Sequence, residues 1–421
     1  MGAANQRETR VNECEFYDQV LGLTADWEVV DVALRLAEEE VHLVVQCRAG
    51  RLPCPTCGAD CAFHDYAAVR TWRHLDTCQL RTYLQAEVPR VRCAQHGVLT
   101  AAVPWAMPYG RFTLLFETFA LRLLRACMNQ SKAAELLHVS FDELHEIMRR
   151  AVARGLARRD QTRLVTDLAI DEKSLKRGHH YVTVLSDREA GHILELSENR
   201  KTDSAVAVLD QALTAAQQQQ VTSITMDMWE PYMKAAAARL PLARVVHDKF
   251  HIIKHLNDAV DRTRRHQNHT LAAAGKAALK HTKYLFLKSV DRLKPDEVGR
   301  LTRAMESGQA AAEAWLMKEV FHAFFQYDDV ERAARYLRAW CTKAHASGIR
   351  ALAQVANLLT AHAPGLLAYI RLPITNAIAE TLNGKLQLLK ATGRGYRRFA
   401  NFRTVVLFHC GALDLFPLKS Q

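Results

Sequence analysis

The chain has 421 residues, 49% hydrophobic and 24% charged, a composition that fits two or three globular domains and excludes a disordered or fibrous chain. Lysine and arginine outnumber aspartate and glutamate by 56 to 45, giving a formal charge of +11 that suits a polyanionic partner. No apolar run is long enough to cross a membrane and the opening MGAANQRETR has no apolar signal core, so no membrane partner and a cytoplasmic, nucleoid-associated location are expected.

In chain order, the first ten or so residues are polar and aperiodic and read as disordered. WEVVDVALRLAEEEVHLVVQC alternates as strands do, and LRTYLQAEVPRVRC is a further strand candidate. Between and after these lie two knuckle-like elements, Cys54-Pro-Thr-Cys57-Gly and Cys93-Ala-Gln-His96-Gly. Each pair has the spacing that lets both members reach one tetrahedral Zn²⁺, so Cys54, Cys57, Cys93 and His96 are candidate ligands of a structural zinc. Cys61 and Cys78 are alternatives to His96. With 10 cysteines and no secretory signal, metal binding or burial is expected rather than a disulfide framework.

From Thr113 the period becomes helical: TLLFETFALRLLRAC, then SKAAELL, then FDELHEIMRRAVARG behind Ser140, a good N-cap. Two helices joined by a short turn after a supporting helix read as a helix-turn-helix. Arg149, Arg150 and Arg154 trail its last helix, with Arg158, Arg159 and Arg163 beyond, and are candidate grips on a DNA backbone.

LVTDLAID reads as a strand ending on Asp171. YVTVLSD and HILELS read as strands around a turn with Asp187 and Gly191. DSAVAVLDQALTAAQ is an amphipathic helix, VTSITMD a strand ending on Asp227, PYMKAAAARL a helix, ARVVHD a strand and HIIKHLNDAVDRTRR a helix. That order is the order of a ribonuclease-H-like mixed sheet with helices on both faces. Residues from about Thr263 to Ala368 are helical throughout, and the helix AIAETLNGKLQLLKAT follows. The expected class is therefore α/β: a ribonuclease-H-like sheet carrying a long all-helical insertion, preceded by a small zinc ribbon and a helix-turn-helix. The expected domains are a β/zinc-ribbon domain (1–108), a helix-turn-helix (109–160), a catalytic core (161–262 and 370–410) and the helical insertion (263–369).

Carboxylates at strand ends project from a sheet edge where ligands reach them. If the first and fourth strands are neighbours, Asp171 and Asp227 face one site, and Glu380 on the late helix completes it. Three such carboxylates suit two divalent cations, Mg²⁺ or Mn²⁺, which favour oxygen ligands and serve in-line phosphoryl displacement. Lys173, Lys176 and Arg177 are placed to neutralise phosphates or lie on a solvated loop. Trp229 stacks on a base or packs under the site. Lys385 and the string Gly393-Arg394-Gly395-Tyr396-Arg397-Arg398 combine basic groups with an aromatic, a mix that binds a DNA backbone and stacks a base or merely caps a helix.

The strings AIDEKSLKRGHHYVTVLSD, MDMWEPY, HDKFHIIKHLNDAVD and NAIAETLNGKLQLLKATGRGYRRFANFR resemble those of the ISL-three family of bacterial insertion-sequence transposases, within the DDE superfamily. The resemblance runs from about Leu43 to Phe408. It implies that Asp171, Asp227 and Glu380 are the first, second and third catalytic carboxylates. It also implies that Asn376 and Asn383 flank the third, and that Asp248 and His251 belong to a motif near the metals or the target phosphate. His247 and His251 each have a core or capping role as the alternative. The implied activity is binding of terminal inverted repeats of double-stranded DNA, strand cleavage and strand transfer to target DNA, by a homodimer or higher synaptic assembly. The alternatives are an inactive DNA-binding regulator and a resolvase-type nuclease without strand transfer.

Overall fold

The computed structural model describes residues 12–23, 25–176, 180–273, 279–372 and 377–417. The ten N-terminal residues expected to be disordered lie outside this set. The chain divides into two compact units, Met1–Arg158 with Leu413–Gln421, and Arg159–Ala412. Both contain a mixed sheet, and among the described residues no helix is long and apolar enough to cross a membrane.

In the first unit, a helix at Glu13–Leu21 that the sequence reading did not foresee precedes six strands. These are β1 (Trp27–Arg35), β2 (Glu40–Cys47), β3 (Arg51–Pro53), β4 (Asp60–Arg73), β5 (Arg81–Cys93) and β6 (Gly97–Thr100). Their order is β1-β2-β5-β4-β3, with β6 paired to β5. β2 and β5 run parallel and the other pairs antiparallel. The two-residue period of β5 drives its core face: Thr82, Leu84, Ala86 and Val88 are buried in alternation. Tyr17 and three tryptophans, Trp27, Trp72 and Trp105, fill the same core.

Three helices follow, Leu114–Cys127, Gln130–Leu136 and Phe141–Ala157. Each begins at a side-chain cap, where Thr113, Asn129 and Ser140 accept the amides of Phe116, Lys132 and Glu143. Glu143 returns the bond to the Ser140 amide, closing a capping box. Each cap is worth about 1 kcal/mol. The C-terminal segment packs beside the third helix: a side chain at Gly155 would come within 2.7 Å of the Leu413 Cβ.

The second unit holds β7 (Asp167–Lys176), β8 (His180–Asp187), β9 (His192–Glu198), β10 (Ser223–Met226) and β11 (Arg244–His247), in the order β11-β10-β7-β8-β9. β7, β8 and β9 form an antiparallel meander, while β10 and β11 run parallel to β7 and to each other. Helices Thr202–Ala212 and Glu230–Arg239 cover one face, over Leu168, Ile170, Leu185 and Ile224. The single helix expected after β9 breaks at Leu213, whose backbone is extended, and restarts at Ala215–Gln218 behind a Thr214 cap.

From Lys249 to Arg371 the described elements are all helical and share a core of Ile252, Leu256, Phe286, Trp315, Phe321 and Trp340. A last helix, Phe399–Cys410, packs on β9, where Arg403 pairs with the buried Glu195. FANFRTVVLFHC is apolar on most sides, so its sequence shows little helical period.

Candidate active site

The site forms where β7 and β10 lie side by side. Their parallel register pairs Ser223 with Asp167 and Thr225 with Ala169. Two residues further along, on the same face, stand Asp227 and Asp171. Asp171 is not at the end of its strand as its sequence suggested. β7 runs on to Lys176, paired with β8 alone after β10 has ended. A polar run such as EKSLK is tolerated there because only one neighbour pairs with it. The carboxylate therefore sits at the step where the sheet narrows.

Asp171 and Asp227 keep 28% and 26% of their side-chain surface exposed, enough to meet a ligand. Lys173, two residues on and so on the same face as Asp171, brings Nζ to 2.7 Å from its Oδ2. His251 stands between the two acids, Nδ1 3.3 Å from Asp227 Oδ2 and Nε2 3.9 Å from Asp171 Oδ1. Its buried Nδ1 forms no hydrogen bond, so the contact is one of proximity. One helical turn later His255 brings Nε2 to 4.0 Å from Asp227 Oδ1. Burial lowers the His255 pKa and outweighs the raising effect of Asp227, so it favours the neutral ring.

Asp248 explains why those histidines point here. It follows β11, its carboxylate accepts the Phe250 amide, and its carbonyl accepts those of His251 and Ile252. It caps the helix Lys249–Ala273, and the first two turns of that helix carry His251 and His255. His247 is different. It is buried, with its pKa lowered to about 4 by burial, and its ring lies against Gly365. Of the two histidines with open roles, His251 is at the acids and His247 in the core. His255 escaped the sequence reading, although its four-residue spacing from His251 on a helix was the available signal.

Glu380 belongs to the helix Ala377–Thr392; its side chain lies outside the described residues, as does Asn376 altogether. That helix runs beside β7 and the β8–β9 turn: Lys390 Nζ donates to the Ser174 carbonyl at 2.8 Å, and Ile378 lies beside Gly191. Asn383 is on the same helix.

The zinc candidates converge in the first unit. One donor atom each from Cys54, Cys57, Cys93 and His96 lies within 4.8 Å of all the others. The Cys57 and Cys93 sulfurs are 3.7 Å apart, close to the ~3.8 Å edge of a tetrahedron with ~2.3 Å Zn–S bonds. His96 offers Nδ1, 3.5 Å from Cys93 Sγ and 3.9 Å from Cys54 Sγ. Both knuckles turn through a left-handed glycine, Gly58 at φ 73° and Gly97 at φ 72°. Amides of Gln95 and His96 lower the Cys93 thiol to about 7, and those of Cys57 and Thr56 lower Cys54, favouring the thiolates a metal needs. Of the alternatives, Cys78 is exposed and Cys61 donates to the Ala59 carbonyl; neither is in the four-donor group. All ten cysteines are free thiols.

Three family models match the chain. One described as "Transposase" covers residues 168–406, more than half of the chain, and so spans Asp171, Asp227 and Glu380. The chain belongs to the transposase family ISL3. A model described as "zinc-finger of transposase IS204/IS1001/IS1096/IS1165" matches residues 51–96, from β3 through the fourth zinc candidate. A third, "Helix-turn-helix domain of transposase family ISL3", matches 101–152. The chain is 27% identical over 353 residues to "Transposase for insertion sequence element IS1001" of Bordetella parapertussis, covering 82% of this chain and 85% of that one. It is 26% identical over 368 residues to "Transposase for insertion sequence element IS1557" of Mycobacterium tuberculosis, covering 82% of each. An ISL3 transposase is an enzyme of DNA transposition, and its helix-turn-helix implies DNA binding.

The remaining DNA candidates of this transposase differ in exposure. Arg149 is exposed and pairs with Glu146 on its own helix. Arg150 reaches the buried Glu117 on the first helix of the three, and Arg154 donates twice to the Leu415 carbonyl. Arg150 thus ties two of these helices together, and Arg154 ties the last one to the C-terminal segment. Lys385, Arg394, Arg397 and Arg398 are exposed. Tyr396 turns inward instead: its hydroxyl donates to the Leu389 carbonyl, its ring lies by Phe402, and burial raises its pKa. The side chain of Lys176 and all of Arg177 lie outside the described residues. Trp229 is half-exposed, and its indole N–H donates to the Arg200 carbonyl at 2.9 Å.

Proposed function

We propose that this transposase binds the terminal inverted repeats of an insertion sequence, cleaves a strand at each end and joins the freed 3′-hydroxyl to target DNA. The observation that carries the reading is the meeting of Asp171 and Asp227 on adjacent parallel strands, with the Glu380 helix alongside. The order β9-β8-β7-β10-β11, three antiparallel strands flanked by two parallel ones, supports a ribonuclease-H-like core in 161–262 and 370–410. Residues 263–369 are then an inserted helical domain, and 1–108 and 109–160 are the zinc-ribbon and helix-turn-helix modules.

The donor set fits hard divalent cations: carboxylates open to solvent, with Lys173 and His251 as their nearest groups. Two Mg²⁺ or Mn²⁺ held by Asp171, Asp227 and Glu380 would activate the attacking oxygen and stabilise the departing one. Water attacks first, and the element's own 3′-oxygen attacks in the joining step. Lys173 lies close enough to exchange Asp171 for an incoming phosphate and balance its charge. His251 stands between the two carboxylates, with one ring nitrogen toward each. Asp248 sets that ring's position through the helix it caps. Cys54, Cys57, Cys93 and His96 hold a structural Zn²⁺ with no catalytic part. Arg149, Lys385, Arg394, Arg397 and Arg398 contribute backbone contacts to DNA. Two ends must be joined together, so the working form is a dimer or larger synaptic assembly.

The test incubates the full chain with Mg²⁺, a labelled terminal-repeat end and a supercoiled plasmid. Joined product is expected. Cutting without joining indicates a resolvase-type nuclease, and binding alone indicates a regulator; either result overturns the proposal.

A further inference from the structure

The chain has 6 tryptophans. Trp27, Trp72, Trp105, Trp315 and Trp340 are buried at 7% exposure or less, whereas Trp229 is 37% exposed. It is nevertheless held firmly. Its indole N–H is fixed on the Arg200 carbonyl, and the Arg200 guanidinium lies 4.6 Å from its ring centre and 4.3 Å from that of Tyr181. Arg200 in turn pairs with Glu172 at 2.9 Å. Tyr181, Arg200, Lys201, Thr202, Trp229 and Pro231 line a cleft of about 480 Å³.

Glu172 follows Asp171 on β7 and faces the opposite side of the strand, and Trp229, past the end of β10 at the start of the helix Glu230–Arg239, reaches that side through Arg200, the partner of Glu172. The cleft thus opens at the same sheet edge as the carboxylates, from the other face. Its chemistry suits a nucleotide: a rigid, partly exposed aromatic ring for a base, and Lys201 with the Glu172-paired Arg200 for its phosphate. A base still paired in duplex DNA has both faces covered by its neighbours, so it offers no surface to Trp229; an unpaired one does.

We propose that this cleft takes one unpaired nucleotide of the DNA beside the reacting phosphodiester, its base on Trp229 and its phosphate toward Arg200 and Lys201. The proposal rests on the reading of Asp171 and Asp227 as the reacting centre. It assigns the cleft the task of opening and holding the duplex end while the carboxylate face carries out the cleavage.

The experiment uses the full chain and the element's own terminal repeat, with 5-iodouracil placed singly at each position across the cleavage junction. Complexes are irradiated in Ca²⁺ and the attached peptide is read by mass spectrometry. One junction position should attach to Trp229 or Tyr181. Trp229→Ala should lose that product and cut a fully paired end at least about tenfold more slowly, with the defect reduced on an end carrying a mismatch at that position. Trp229→Phe, which keeps a stacking ring, should retain most of both. Attachment only to residues outside the cleft, or wild-type cutting of paired ends by Trp229→Ala, overturns the proposal. Crosslinking is measured on the wild-type chain, so a variant that fails to fold does not rescue it. Failure of the carboxylate reading shows separately, as normal cutting by Asp171→Asn with the Trp229 crosslink intact.

Discussion

In the cysteine cluster four donors already stand within 4.8 Å of one another. At the carboxylates, Asp171 and Asp227 have a lysine and two histidines as neighbours, and Glu380, the third acid we propose, belongs to a helix more than a hundred residues further along the chain. The first arrangement is complete in its donors: two tight turns, each with a left-handed glycine, bring them to one point, although Cys57 and His96 stay exposed. The second is open and assembled from remote strands. A site complete in its donors suits a metal that holds a fold together, and an open one suits cations that must also meet a substrate.

Breaking each site should therefore have different consequences. Cys93→Ser, or a strong chelator, should have the largest effect, since a structural zinc supplies on the order of 10 kcal/mol to a small module. Elemental analysis should show the loss of one zinc per chain, and the melting of the first unit should collapse while that of the second survives. Unchanged melting with no zinc present would remove the structural role. Asp171→Asn should do the reverse. Strand cleavage should fall on the order of a thousandfold, about 4 kcal/mol, with both melting transitions and affinity for terminal-repeat DNA retained. Cutting at the normal rate would show that the acid is not a ligand.

The core beneath the carboxylates offers a finer probe. The pKa of His247 falls from its ordinary 6.5 to about 4 because its ring is buried. The folded state therefore binds fewer protons than the unfolded one. The stability from keeping His247 neutral is complete above about pH 6.5 and is lost as pH drops towards 4. The full shift is worth roughly 3 kcal/mol. Melting of the second unit followed by circular dichroism should weaken across that range, and His247→Gln should flatten the response. A variant with the wild-type slope would place the titrating group elsewhere. The smallest effect is expected at Gly365, where a Cβ would meet the His247 ring at 2.3 Å. Gly365→Ala should cost about 2 kcal/mol by overpacking, visible as a lower midpoint in urea; an unchanged midpoint would mean that the helix shifts freely.

Much of this was legible because the determining signals were local. The knuckles are spaced motifs, the Ser140 capping box is a four-residue pattern, and Asp171 and Asp227 follow β-branched runs. What was hidden depends on partners distant in sequence. Nothing in LVTDLAID says that β7 continues past Asp171, because that extension exists only where β8 pairs with it. The arginine run after the helix-turn-helix looked uniform, yet Arg150 is claimed by Glu117 and Arg154 by the Leu415 carbonyl. His247 and His251 look alike in HDKFHIIKH, and only the β11–helix junction at Asp248 sends one into the core and the other to the acids.

The most direct test of the central claim is anomalous diffraction from crystals of the full chain, bound to a terminal-repeat end and soaked in Mn²⁺. Two manganese peaks about 4 Å apart, in contact with Asp171, Asp227 and Glu380, are the expected result. Clear density for Glu380 well away from the two aspartates, with no manganese between them, would contradict it.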